Sequence, residues 1–178
     1  NIMLNLYDCL TTYEPATGSP IPCLATNWEH NADSSVWTFH LRPEATWTDG
    51  APLTADDFVY SWRRAIDPET ASPYANLLYY VKNGEGINDG SIADVTKLGV
   101  KALDAHTFEV TMERPTAFFI AMTPHYIFSA VPRQAIEKWG DQWITVEHHV
   151  SAIFSKLGTR TRGEAILRAR EIGALSPN

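Results

Sequence analysis

Long apolar runs, cysteine and catalytic motifs are all scarce in this chain. No stretch approaches the ~20 apolar residues that a helix needs to cross a bilayer. The opening residues NIMLNLYDCL lack the basic region and long apolar stretch of a secretory signal, so an exported protein is expected to carry its signal outside this sequence. With only Cys9 and Cys23 present, a Cys-rich zinc site and a disulfide-dense scaffold are both excluded. There is no nucleophile elbow, no HExxH and no phosphate-binding Walker loop. Asp56 and Asp57 are neighbours that cannot face each other on a helix, and they read as first-turn partners of the helix dipole. His148 and His149 lack the i,i+4 spacing of helical metal ligands. The glycines of Asn83 to Gly90 are interleaved with Glu85 and Asp89, which would repel phosphate, so this stretch is expected to be a surface loop. Catalytic residues, a metal and a cofactor are all expected to be absent.

What is present suits a globular domain. The chain has 178 residues, 44% hydrophobic and 20% charged, enough for one good core and a small second unit. Its net charge of −7 is unevenly spread. Residues 1–144 carry 9 Lys+Arg against 18 Asp+Glu, and residues 145–178 carry 5 against 3. An acidic body repels nucleic acid, whereas the weakly basic end is compatible with phosphate contact.

Periodicity places the elements. From Val36 to Arg42, Trp37, Phe39 and Leu41 share one face of a half-buried strand. Pro43 stops it, Thr48-Asp49-Gly50 has turn chemistry, and Thr54 stands at the N-cap of a helix starting at Ala55. Phe58, Val59, Trp62, Ala65 and Ile66 form its apolar face, and Asp67-Pro68 ends it. Leu98, Val100 and Ala102 alternate, as do Phe108, Val110 and Met112, with Asp104-Ala105-His106 between them, which predicts a hairpin. An aromatic segment follows (Phe118, Phe119, Tyr126, Phe128), then a helix from Pro132 through Ile136 and Trp139 to Gly140. Core packing is the expected role of Trp28, Trp37, Trp47 and Trp62. If Glu14-Pro15-Ala16-Thr17-Gly18 makes a hairpin turn that pairs Tyr13 with Ser19, Cys9 falls opposite Cys23. The two are then either a disulfide, stabilising by ~3 kcal/mol for a loop of this size, or two unrelated thiols.

The run WEHNADSSVWTFHLRPEATWTDGAPLTADDFVYSW, together with LYDCLTTYEPATGSPIPCLATNWE, DFVYSWRRAIDPETASPYANLLYY, LGVKALDAHTFEVTMERPTAFF and VPRQAIEKWGDQW, resembles the family 5 extracellular solute-binding proteins, most closely the periplasmic oligopeptide-binding proteins of peptide ABC importers. The likeness spans residues ~1–143. It implies an α+β fold, the small lobe of a two-lobed binding protein with a mixed sheet and packed helices. It implies a monomer in the periplasm that binds an oligopeptide and delivers it to the membrane subunits of an ABC transporter. In that family the peptide is held chiefly through its backbone, with its side chains in hydrated pockets. Residue by residue, LYDCL matches the family's Leu-Tyr-Glu-Gly-Leu block near the ligand, which makes Asp8, Cys9 and Leu10 candidate peptide-binding residues. The SPY segment makes Tyr74 another. Asp8 replaces the usual Glu, and both Cys9 and Cys23 stand where the family usually has glycine. The acidic group that grips the peptide's ammonium belongs, by the same resemblance, to the other lobe, outside this sequence.

Beyond Trp143 the character changes. Thr145 can cap a helix with Val146, Val150, Ile153, Phe154 and Leu157 in one stripe, and Thr161 with Glu164 can cap a second, so two short helices are expected to end the chain. The segment TVEHHVSAIFSKLGTRTRGEAILRAREIGAL resembles the last two helices of a LuxR-type helix-turn-helix domain. That resemblance sets a junction near Ile144 between a partial solute-binding domain, residues 1–144, and a partial DNA-binding segment, residues 145–178. It implies an alternative function, a cytoplasmic transcriptional regulator whose Thr145, Val146, Glu147, His149 and Lys156 face DNA.

Overall fold

The computed structural model describes residues 8–143. The expected two C-terminal helices, and with them the DNA-facing candidates Thr145, Val146, Glu147, His149 and Lys156, lie outside the described residues. The chain divides into a larger unit, which includes Thr54–Val131 and the described residues up to Ala45, and a smaller one formed by Thr46–Leu53 and the residues from Pro132 onward.

In the larger unit, strands β1 (Thr11–Tyr13) and β2 (Pro20–Pro22) form a hairpin. A four-stranded sheet is built from β3 (Ala25–His30), β4 (Val36–Leu41), β5 (Val100–Asp104) and β6 (Thr107–Thr111), in the order β3-β4-β6-β5. Every ladder among the described residues is antiparallel, so the α+β class holds while the expected mixed sheet is an antiparallel one. The local reason is that each neighbouring pair joined directly in the chain is a hairpin, and β6 returns against β4. As the alternation predicts, Trp37, Phe39 and Leu41 are buried in β4. Phe108 and Val110 are buried beside them in β6.

Helix α1 (Ala55–Ile66) covers this face. Thr54 is its N-cap, and Asp57 does more than balance the dipole. Its Oδ2 accepts the Thr54 backbone N–H at 2.7 Å and the Thr54 hydroxyl at 3.2 Å. Phe58, Trp62 and Ile66 are wholly buried. The Phe58 ring lies 5.5 Å and the Trp62 ring 5.0 Å from that of Phe108, the latter edge-on, a geometry that favours aromatic quadrupoles. Phe39, Phe119 and Phe128 complete the cluster. Of the four tryptophans expected in the core, Trp37 and Trp62 are buried, whereas Trp28 and Trp47 are only half-buried. Trp28 lies on β3, an edge strand, and one side of an edge strand remains open.

Two expectations fail locally. Asn83 to Gly90 contains a short helix, α2 (Gly84–Asn88), rather than only a loop. Ile87 is buried, and Gly84 sits so close to the Leu78 carbonyl that a Cβ would lie 2.2 Å from its oxygen. Tertiary packing therefore requires the glycine that reads as a loop signal. The β1–β2 register also differs, for Tyr13 pairs with Pro20 and Glu14 donates to Ser19 at 2.8 Å. That shift of one residue sets Cys9 against Leu24, whose N–H donates to the Cys9 carbonyl at 3.1 Å. Of the two alternatives for Cys9 and Cys23, the structure has two free thiols. In the smaller unit, Gly50 turns with φ 89°, and α3 (Arg133–Trp139) runs from Pro132 to Gly140, as its end signals predict.

Candidate functional site

The segment from Ala121 to Ser129 is the axis of the candidate site. One side of it is stitched to the start of β1. Tyr13 donates its phenol proton to the Ala121 carbonyl at 3.2 Å, and Thr11 and Thr123 share a buried hydroxyl contact at 2.6 Å. Cys9 Sγ donates to the Pro124 carbonyl at 3.4 Å and lies 3.1 Å from the Ser129 hydroxyl. From beneath, Trp62 Nε1 donates to the Phe128 carbonyl at 3.1 Å, and the Val131 N–H donates to Ser61 Oγ at 2.8 Å. Helix α1 thus positions a segment with little regular structure of its own.

On the β1 side lies a cleft of about 130 Å³ lined by Asp8, Cys9, Thr11, Tyr13, Cys23 and Pro124. Asp8 is exposed at this cleft and Cys9 is buried within it. Burial pushes the Cys9 thiol above its ordinary pKa, partly opposed by its contact with Ser129. Burial, reinforced by the Asp8 carboxylate, pushes Cys23 up to about 11. Both groups are therefore neutral thiols near neutral pH, poor nucleophiles and poor metal ligands.

The segment's other contact is with Tyr74, which is 43% exposed and so has ring surface to offer a ligand. Its ring lies 5.1 Å from His125 and 5.4 Å, edge-on, from Tyr126, while His125 and Tyr126 stack at 4.4 Å. His125 Nδ1 accepts the Ile127 N–H at 3.2 Å, and partial burial holds the imidazole below its usual pKa. Loss of water and a hydrogen bond with Tyr74 push the Tyr126 phenol up. Near pH 7 the wall is uncharged and aromatic, with polar edges.

Of the four candidates, Asp8 and Cys9 share the cleft, and Tyr74 stands apart from it, joined through Pro124-His125-Tyr126. Leu10 is fully buried, and its carbonyl is taken by the Ala25 N–H at 2.8 Å, so its side chain serves the core. Sequence reading passed over Pro124, His125, Tyr126 and Ser129. The only signal was the aromatic density of Phe118 to Phe128, which does not say which rings face out. Among the described residues, no group of three His, Cys, Asp or Glu is placed to hold a metal.

An antiparallel sheet under one long helix thus carries the cleft at Asp8 and, apart from it, the aromatic group of Tyr74, His125 and Tyr126. The chain belongs to the bacterial extracellular solute-binding proteins, family 5, whose middle region matches residues 19–152. It is 49% identical over 145 residues to the periplasmic oligopeptide-binding protein OppA of Salmonella typhimurium, covering 80% of this chain and 26% of that protein. Over 168 residues it is 38% identical to OppA of Haemophilus influenzae, covering 93% of this chain and 31% of the relative. The structure of Haemophilus influenzae OppA in complex with RPPGFSPFR matches with a TM-score of 0.76 and 39% identity, over 80% of this chain and 28% of that one. The unliganded open form of the murein tripeptide-binding protein MppA matches with a TM-score of 0.75 and 38% identity, over 80% of this chain and 27% of the other. The chain thus spans between a quarter and a third of the length of these relatives. The family match runs past Ile144, where a change of family was expected.

Proposed function

We propose that this chain supplies one wall of the peptide site in the periplasmic binding component of an ABC peptide importer. Asp8, Cys9, Tyr74, His125 and Tyr126 form the ligand-facing surface. The observation that carries the reading is the 49% identity over 145 residues to a periplasmic oligopeptide-binding protein, in a chain whose exposed Tyr74 ring packs on His125 and Tyr126. The uncharged aromatic edges suit peptide groups and hydrated side chains of many kinds, and the raised thiol pKa values favour holding over chemistry. On this reading the protein is a monomer, not an enzyme, and its partners are an oligopeptide and the transporter's membrane subunits. No helix among the described residues is long and apolar enough to cross a membrane.

One wall binds weakly, because most of the peptide's surface stays in water. Titration of the chain with a tetrapeptide into the millimolar range is expected to move amide chemical shifts at residues 8–13, 74 and 124–126. Shifts confined elsewhere, or no shifts at all, would reject the assignment, and micromolar binding in calorimetry would reject the single-wall picture. The regulator alternative rests on residues 145–178. Any DNA-binding protein shows non-specific complexes at low salt. A gel shift there is expected to show none, and a salt-sensitive complex would restore that alternative.

A further inference from the structure

A second cleft, of about 400 Å³, lies among Asn76, Tyr79, Tyr80, Glu85, Glu113 and Arg114. It shares no lining residue with the cleft at Asp8. Its floor is held by backbone pairing between the end of the Ala75–Tyr80 turn and the end of β6. The Glu113 N–H donates to the Tyr80 carbonyl at 2.8 Å, and the Lys82 N–H to that of Thr111 at 3.0 Å. Glu113 is oriented further because its Oε2 accepts the Asn83 N–H at 2.9 Å. Its other carboxylate oxygen accepts no hydrogen bond among the described residues.

Three charged groups, Glu85, Glu113 and Arg114, line this cleft, and none of them is in an ion pair among the described residues. Among the described residues, Arg114 has no carboxylate oxygen within ion-pair distance and Glu85 has no side-chain partner. Tyr80 lines the cleft, and the exposed Phe118 packs against it edge to face at 5.5 Å, an apolar surface beside the cleft that a single aromatic side chain could cover. An ammonium needs several acceptors, and a carboxylate is met best by the two-pronged guanidinium. We infer that this cleft binds a small zwitterion, a free amino acid or dipeptide carrying an aromatic side chain. Its ammonium lies between Glu85 and Glu113, its carboxylate on Arg114, and its side chain against Tyr80 and Phe118. The volume is within the range of small-ligand sites, and the opposed charges select for a molecule bearing both ends.

The test is a chemical-shift titration of the full chain with L-phenylalanine, N-acetyl-L-phenylalanine and L-phenylalaninamide. L-phenylalanine is expected to move residues 76–85 and 113–118, and each blocked form to bind about tenfold more weakly through loss of one charge-assisted contact. Arg114→Ala and Glu85→Gln should each produce a similar loss. Glu85 makes no partner contact that the fold needs, so its variant tests the site without threatening the structure. Tyr74→Ala should leave L-phenylalanine binding unchanged, while Arg114→Ala should leave the tetrapeptide shifts at residues 8–13, 74 and 124–126 unchanged. Equal binding of the blocked forms, indifference to both charge variants, absence of binding to the folded chain, or loss of binding in Tyr74→Ala would each overturn the assignment.

Discussion

Replacing Trp62 by phenylalanine separates two things that one side chain does. The indole ring fills the space between Phe108, at 5.0 Å, and Phe128, at 5.1 Å, and its N–H holds the Phe128 carbonyl at 3.1 Å. Phenylalanine keeps most of the ring contact and leaves that carbonyl without its donor, a loss of about 1–3 kcal/mol for a buried acceptor. Alanine removes the ring as well, and truncation of a fully buried aromatic costs about 3–5 kcal/mol before the hydrogen bond is added. The expected order is therefore Trp62→Phe lower by about 2 kcal/mol and Trp62→Ala by about 5 kcal/mol, a large part of the ~5–15 kcal/mol that holds a domain together. Urea unfolding followed by far-ultraviolet circular dichroism gives both values, with an unchanged slope showing that the unfolded state is the same. Because the Phe128 carbonyl anchors the segment bearing His125 and Tyr126, Trp62→Phe should also broaden or shift the amide signals of residues 124–128. A stability loss below about 0.5 kcal/mol, the ordinary scatter for surface changes, would refute the claim that α1 positions the site through this bond.

Cys23 titrates at about 11, two pH units above its reference of 9.0, so its thiolate at pH 8 is about a hundredfold scarcer than in the unfolded chain. Its alkylation by iodoacetamide, followed by peptide mass mapping, should rise roughly tenfold per pH unit from 8 to 10, and a plateau near 9 would contradict the burial argument. Gly84→Ala forces a Cβ against the Leu78 carbonyl, a backbone atom that cannot swing aside, and should cost about 1–3 kcal/mol in a thermal melt. Gly86→Ala meets only the Ser91 and Ile92 side chains and should cost less, and the reverse order would remove the reason given for α2.

Much of the scaffold was legible because its signals are local. Alternation placed β4, the apolar stripe and Thr54 placed α1 at Ala55–Ile66, and turn residues placed the β5–β6 hairpin and the end of α3. The β1–β2 register escaped because a one-residue slip leaves the turn composition unchanged, and only the pairing of Leu24 with Cys9 distinguishes the two. Helix α2 escaped because its glycines look like loop residues until Leu78 is packed against them.

The candidate site followed the same division. Asp8, Cys9 and Tyr74 could be named from motifs carried along the chain, and so could the family. What only the tertiary structure decided is that Pro124 lines the cleft with Asp8 and Cys9, that His125 and Tyr126 pack on Tyr74, that Leu10 turns inward, and that the cysteines stay apart. Periodicity and capping depend on neighbours a few residues away, and composition records them. A wall assembled from residues 8–13, 74 and 121–129 depends on contacts across more than a hundred positions, such as Cys9 to Ser129, which no local pattern encodes.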